Sequence, residues 1–117
     1  MKDFLLLFRG GDAERIAQQQ NPEEWEKHMM KWKAWMEELG SKGKFSGGQP
    51  LTQSGNVIHG KKKVVTDGPF AESKEIVGGY LMIKANDLKE AVTLSKDCPI
   101  LEHDGTVEVR EIQELSI

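Results

Sequence analysis

Residues 4–8 read FLLLF, five apolar residues in succession closed by Arg9 and Gly10. The run is too short for a membrane span or the core of a signal peptide. Continuous apolar character over so few residues is the pattern of a central β-strand covered on both faces. Such a strand needs a neighbour along each edge and a packed layer above and below, and the remaining chain must supply them. At 117 residues, 1–117 is the length of one domain with a single core of modest size.

The following segment, residues 10–20 (GGDAERIAQQQ), is polar and irregular, and reads as a long connection with at most one weak helical turn. Asn21, Pro22 and Glu24 then form a helix start, with a capping side chain, a proline in the first turn and an acceptor three residues on. Along that helix Trp25, Met29, Trp32, Met36 and Leu39 recur every three or four residues as a stripe facing the sheet. His28 and Trp35 fall on one flank of the stripe, and Gly40 is expected to end the helix. Residues 40–56 are dense in Gly, Ser and Pro, so they hold a short strand and turns.

Asn56–Ile58 and Lys63–Thr66 flank an HGKK turn as a hairpin, followed by a long strand over Glu75–Lys84. Gly78 and Gly79 inside that strand suggest a bulge or a close backbone approach. Asp87 and Glu90 cap a second helix whose small or apolar face is Leu88, Ala91, Val92 and Ser95, with Pro99 as its stop. Val107 and Val109 alternate with Glu108 and Arg110 as a half-exposed last strand. The order is that of an α+β, ferredoxin-like βαββαβ antiparallel sheet with two helices on one face and an inserted β-hairpin. A sheet so built leaves its second face open, which makes a homodimer the expected state.

Composition narrows the functional classes. Charged residues make up 30% of the chain, as in ordinary soluble domains, and the cytoplasm is the expected location. A net charge of −3 argues against nucleic acid as a partner, because phosphate binding rests on concentrated Lys and Arg. Lys61–Lys63 reads as a solvated turn, and no membrane partner is expected. The single cysteine, Cys98, makes no internal disulfide and reads as a small buried hydrophobe. The three histidines share no metal-ligand spacing, and no phosphate-binding loop, dinucleotide fingerprint or nucleophile elbow is present, so neither metal nor cofactor is expected.

The chemistry-bearing residues are few. Gly68 and Pro69 make a stiff corner in DGPF, leaving Asp67 at a strand end either as a turn acceptor or facing a cavity. Phe70 plugs the core edge or walls a pocket, and Glu72 and Lys74 form either a solvated loop or polar anchors for a ligand. His28 borders the buried helix stripe, where desolvation tunes an imidazole, while His59 and His103 read as solvent-facing. Trp35 shares the His28 flank and is the tryptophan placed to edge a pocket.

VVTDGPFAESKE, then GGYLMI, a helix ending in DCP, and GTVEVREI together resemble the DGPF branch of the YCII-related family, over nearly the whole chain. The resemblance implies a ferredoxin-like fold pairing as a dimeric α/β-barrel. It also implies a His and Asp pair in a pocket at the foot of the first helix, matched here by His28 and Asp67. Two readings follow, beside a purely structural dimer that needs no pocket. One is a cofactor-independent small-molecule enzyme in which Asp67 orients His28 as general acid or base. The other is a non-catalytic dimer binding a small ligand between Trp35, Phe70 and Tyr80, with Glu72 or Lys74 as anchor.

Overall fold

The computed structural model describes residues 1–10, 22–52, 54–68 and 76–116. Its elements run β1 (Lys2–Arg9), α1 (Pro22–Ser41), β2 (Phe45–Pro50), β3 (Gly55–His59), β4 (Val64–Gly68), β5 (Val77–Ala85), α2 (Leu88–Ser95), a 3-10 turn (Pro99–His103) and β6 (Thr106–Glu111). The main sheet has the order β2-β5-β1-β6, entirely antiparallel, and among the described residues β3 and β4 pair only with each other. This is the ferredoxin-like arrangement with the β3–β4 ribbon inserted before β5. No described helix is long and apolar enough to cross a membrane. Asn21 and the connection before it lie outside the described residues.

β1 sits between β5 and β6, as its apolar run demands. Side chains alternate across a strand, so Phe4, Leu6 and Phe8 share one face with Leu81, Ile83 and Ala85. All six are buried beneath α1 and α2. Leu5, Leu7, Tyr80 and Met82 share the other face and are half-buried. Within a single chain the expected two-sided burial of β1 is therefore complete on one side only, because both helices pack on the same face.

α1 docks through edge-to-face aromatic contacts. Phe8 lies 5.3 Å from Trp32 and 6.5 Å from Trp35 between ring centroids, and the two tryptophans are 5.8 Å apart. Its fully buried positions are His28, Trp35 and Leu39. Met29, expected in the stripe, is exposed, so the buried face is rotated toward His28 and Trp35. Nor does Gly40 end the helix. The chain continues to Ser41, and Gly43, at φ +70°, takes the left-handed position while the Lys44 N–H bonds back to the Leu39 carbonyl at 2.9 Å.

α2 starts as expected, with Asp87 accepting from the Glu90 N–H at 2.8 Å. Ala91 and Ser95 are buried, whereas Leu88 and Val92 are exposed and Leu94 packs on the core in their place. Pro99 does not stop this helix. It ends at Ser95, and Pro99 opens the separate 3-10 turn, where a missing N–H leaves no bond unmade.

The glycine pair in β5 serves both expected purposes. Register shifts so that Phe8 faces Gly79 and Arg9 faces Val77, leaving Gly78 as the bulged residue. A Cβ on Gly79 would lie 3.2 Å from the Gln49 carbonyl oxygen and 3.3 Å from Pro50 Cα. Gly48 is tighter still, since a Cβ there would meet Leu81 Cα at 2.8 Å, backbone that cannot swing aside. Gly48→Ala is expected to lower unfolding stability by about 1–3 kcal/mol in urea titrations. Gly78→Ala, whose Cβ would meet nothing nearer than 4.0 Å, is expected to change it by less than about 1 kcal/mol.

Candidate functional site

One helical turn separates His28 from Trp32, and a second brings in Trp35, so all three face the sheet side of α1. His28 is only 7% exposed. The Trp32 indole N–H donates to His28 Nε2 at 3.1 Å. An indole nitrogen can only donate, so Nε2 is the acceptor and the neutral ring carries its proton on Nδ1. Nδ1 is fully buried and has no hydrogen-bond partner among the described residues. The Trp25 ring lies 5.9 Å away on one side, and the His103 ring stands edge-on at 4.6 Å on the other.

His103 arrives there because the 3-10 turn folds back toward α1. Pro99 starts the turn, Asp104 closes it in the left-handed region at φ +60°, and the Gly105 N–H bonds to the Ile100 carbonyl at 3.1 Å. The turn also carries Glu102, whose carboxylate accepts from Lys31 Nζ at 3.0 Å. The expected solvent-facing His103 is thus half-buried against His28, whereas His59 is exposed on the ribbon and bonds Thr66 Oγ1 at 3.0 Å.

These neighbours set the protonation of His28. Burial pushes its pKa below the ordinary 6.5, the adjacent His103 pushes the same way, Glu102 opposes, and Lys31 adds a smaller downward push. Glu102 is itself held below the ordinary carboxylate value, chiefly by the Lys31 hydrogen bond. Ring nitrogens and a carboxylate oxygen of His28, Glu102 and His103 lie within 4.8 Å of one another. As built the donor set does not suit a cation. Lys31 occupies the carboxylate, Trp32 occupies the Nε2 lone pair, and the remaining nitrogen of His28 carries a proton. Cys98 is buried behind the same turn, with its thiol pushed up to about 12 by desolvation, so it stays a protonated hydrophobe.

The other sequence-derived site residues lie elsewhere. Asp67 is exposed on β4 and accepts from Asn56 Nδ2 at 3.3 Å, and no hydrogen bond joins it to His28. Trp35 is buried, donates to the Leu94 carbonyl at 3.1 Å, and borders a shallow depression with Glu38, Lys42 and Asp97. Tyr80 is half-buried on the opposite face of the sheet, so the structure does not bring it together with Trp35. Phe70, Glu72 and Lys74 lie outside the described residues. What the sequence reading missed is the cluster around His28: Trp32 as its donor, and Lys31, Glu102 and His103 as the polar groups around it. Lys31 and Glu102 are 71 positions apart, and no spacing rule connects them.

The lowered pKa of His28 fixes a pH dependence. The unfolded ring binds a proton near 6.5, and the folded ring does so only at lower pH. Its contribution to stability is complete above 6.5 and is lost as pH falls through the folded value. Urea midpoints of the wild type are expected to decline on that acid side, and His28→Gln is expected to flatten this part of the profile.

Among solved structures, a 5-chloro-2-hydroxyhydroquinone dehydrochlorinase (TftG) from Burkholderia phenoliruptrix AC1100, in complex with 2,5-dihydroxybenzoquinone, shares the fold. Its TM-score is 0.51 at 16% sequence identity, covering 95% of this chain and 93% of that one. None of the curated proteins matches the sequence. The YCII-related domain model matches residues 11–116, nearly the whole length, and the chain therefore belongs to the YCII-related family.

Proposed function

We propose that this protein is a cofactor-independent enzyme that uses His28 for acid–base chemistry on a small organic molecule, acting as a homodimer. The observation that carries the reading is the state of His28: desolvated, held in one tautomer by Trp32, and kept neutral near pH 7. A neutral imidazole with a lowered pKa is a base ready to take a proton once a substrate hydroxyl replaces the Trp32 N–H at Nε2. A carboxylate accepting from Nδ1–H would then hold the ring and stabilise the imidazolium.

Two carboxylates compete for that supporting role. Asp67 is the one implied by the family pattern, and Glu102 is the nearer in the single chain. The tryptophans beside His28 and the Lys31 cation suit a flat, anionic or phenolic substrate. The shared fold with a dehydrochlorinase makes elimination the first chemistry to test. In such a step the imidazole takes a proton, the electron pair left behind forms the new π bond, and chloride departs with its own pair.

Chloride release from chlorinated hydroquinones, followed with purified dimer, tests this reading. His28→Gln is expected to lower kcat/KM by about 10²–10⁴-fold. Loss of a similar order in Glu102→Gln with little effect of Asp67→Asn assigns the supporting carboxylate to Glu102, and the reverse assigns it to Asp67. Full activity of His28→Gln would refute the acid–base role. The enclosure of Nδ1 favours a second reading, a dimeric small-ligand-binding module. Ligand-induced thermal shifts without turnover, unchanged in His28→Gln, would select it.

A further inference from the structure

Two strands alone are marginal in water at best, and among the described residues β3–β4 joins no third strand. Its register places Ile58 against Val65 on one face, with Val57 and Val64 on the other. All four are exposed, Ile58 at 67% and Val65 at 59%, and the hydrophobic core contains no residue of the ribbon. An apolar ribbon held away from its own core needs an outside surface to cover it.

Charge identifies that surface. Residues 55–68 carry Lys61, Lys62 and Lys63 against a single acid, Asp67, leaving 13 basic and 18 acidic residues to the rest of the chain. Among the described residues none of the three lysines makes an ion pair, and all are exposed. The complementary patch is on the same chain. Beyond β6, Ile112 and Leu115 are exposed apolar side chains beside the exposed acids Glu114 and Glu111, the latter facing Lys2 Nζ at 3.5 Å across a solvent-exposed pair that a second cation can share. Both patches remain exposed within one chain, so they do not satisfy each other there. A second copy related by a two-fold axis would pair them twice, once in each direction.

We propose that the β3–β4 ribbon is an arm that packs on a second copy of this chain. Its Ile58 and Val65 face lies against the Ile112 and Leu115 segment of that copy, and its lysine turn lies against Glu111 and Glu114. The arm rests on the homodimer proposed above, but not on which sheet faces meet. Asp67 and Gly68 end β4, so the arm also brings these two residues to the boundary between copies.

Sedimentation and light scattering on three variants test this, with circular dichroism confirming that each is folded. Ile58→Asp with Val65→Asp, and separately Lys61→Glu with Lys62→Glu and Lys63→Glu, are expected to raise the dimer Kd at least tenfold. Adding Glu111→Lys and Glu114→Lys to the lysine variant is expected to recover most of that loss. A dimeric wild type whose Kd is unchanged by both ribbon variants overturns the arm while leaving the homodimer standing. A monomeric wild type overturns both.

Discussion

The contact of Phe8 with Trp32 and Trp35 is the one on which the remaining structure depends. It joins the central strand to the long helix through edge-to-face rings and sets the rotation of α1 about its axis. With that rotation fixed, His28 is inside rather than beside the buried stripe, and the Trp32 indole is positioned to bond its Nε2. The same aromatic group thus organises the core and selects the tautomer of the one buried imidazole. A site built this way lies on a helix packed against a sheet, where side chains are held more closely than on a loop.

The 3-10 turn completes the cluster from the far end of the chain. Pro99 and the left-handed Asp104 make it a compact corner rather than an extension of α2. Glu102 and His103 consequently reach α1, where Lys31 holds the former and His28 packs against the latter. The opposing pushes of His103 and Glu102 on His28 make its protonation depend on two neighbours carried by the same turn. Such coupling is common where protons are transferred.

Much of the architecture was legible from short patterns. FLLLF marked the central strand, Asp87 with Glu90 marked the second helix start, and Gly78 with Gly79 marked the bulge. The failures share a cause. Met29 and His28 are neighbours on the helix, about 100° apart, and hydrophobicity alone favours burying the methionine. The fold buries the histidine because Trp32 satisfies one of its nitrogens, a contact that no periodicity encodes. His103 lies in a polar stretch of the sequence, and its burial depends on a turn and a helix brought together from opposite halves of the chain. Asp67 was placed correctly at a strand end. Its strand, however, belongs to a ribbon apart from the main sheet, and its carboxylate accepts from Asn56 while His28 is held by Trp32.

The central claim is that His28 is a neutral imidazole, protonated on Nδ1, with Nε2 held by Trp32. Long-range proton–nitrogen NMR correlation of the His28 ring across a pH titration measures this directly. The account predicts the Nδ1–H tautomer at pH 7, a titration midpoint below 6.5, and loss of the tautomer preference in Trp32→Phe. An Nε2–H ring at pH 7, or a midpoint at or above 6.5, would contradict it.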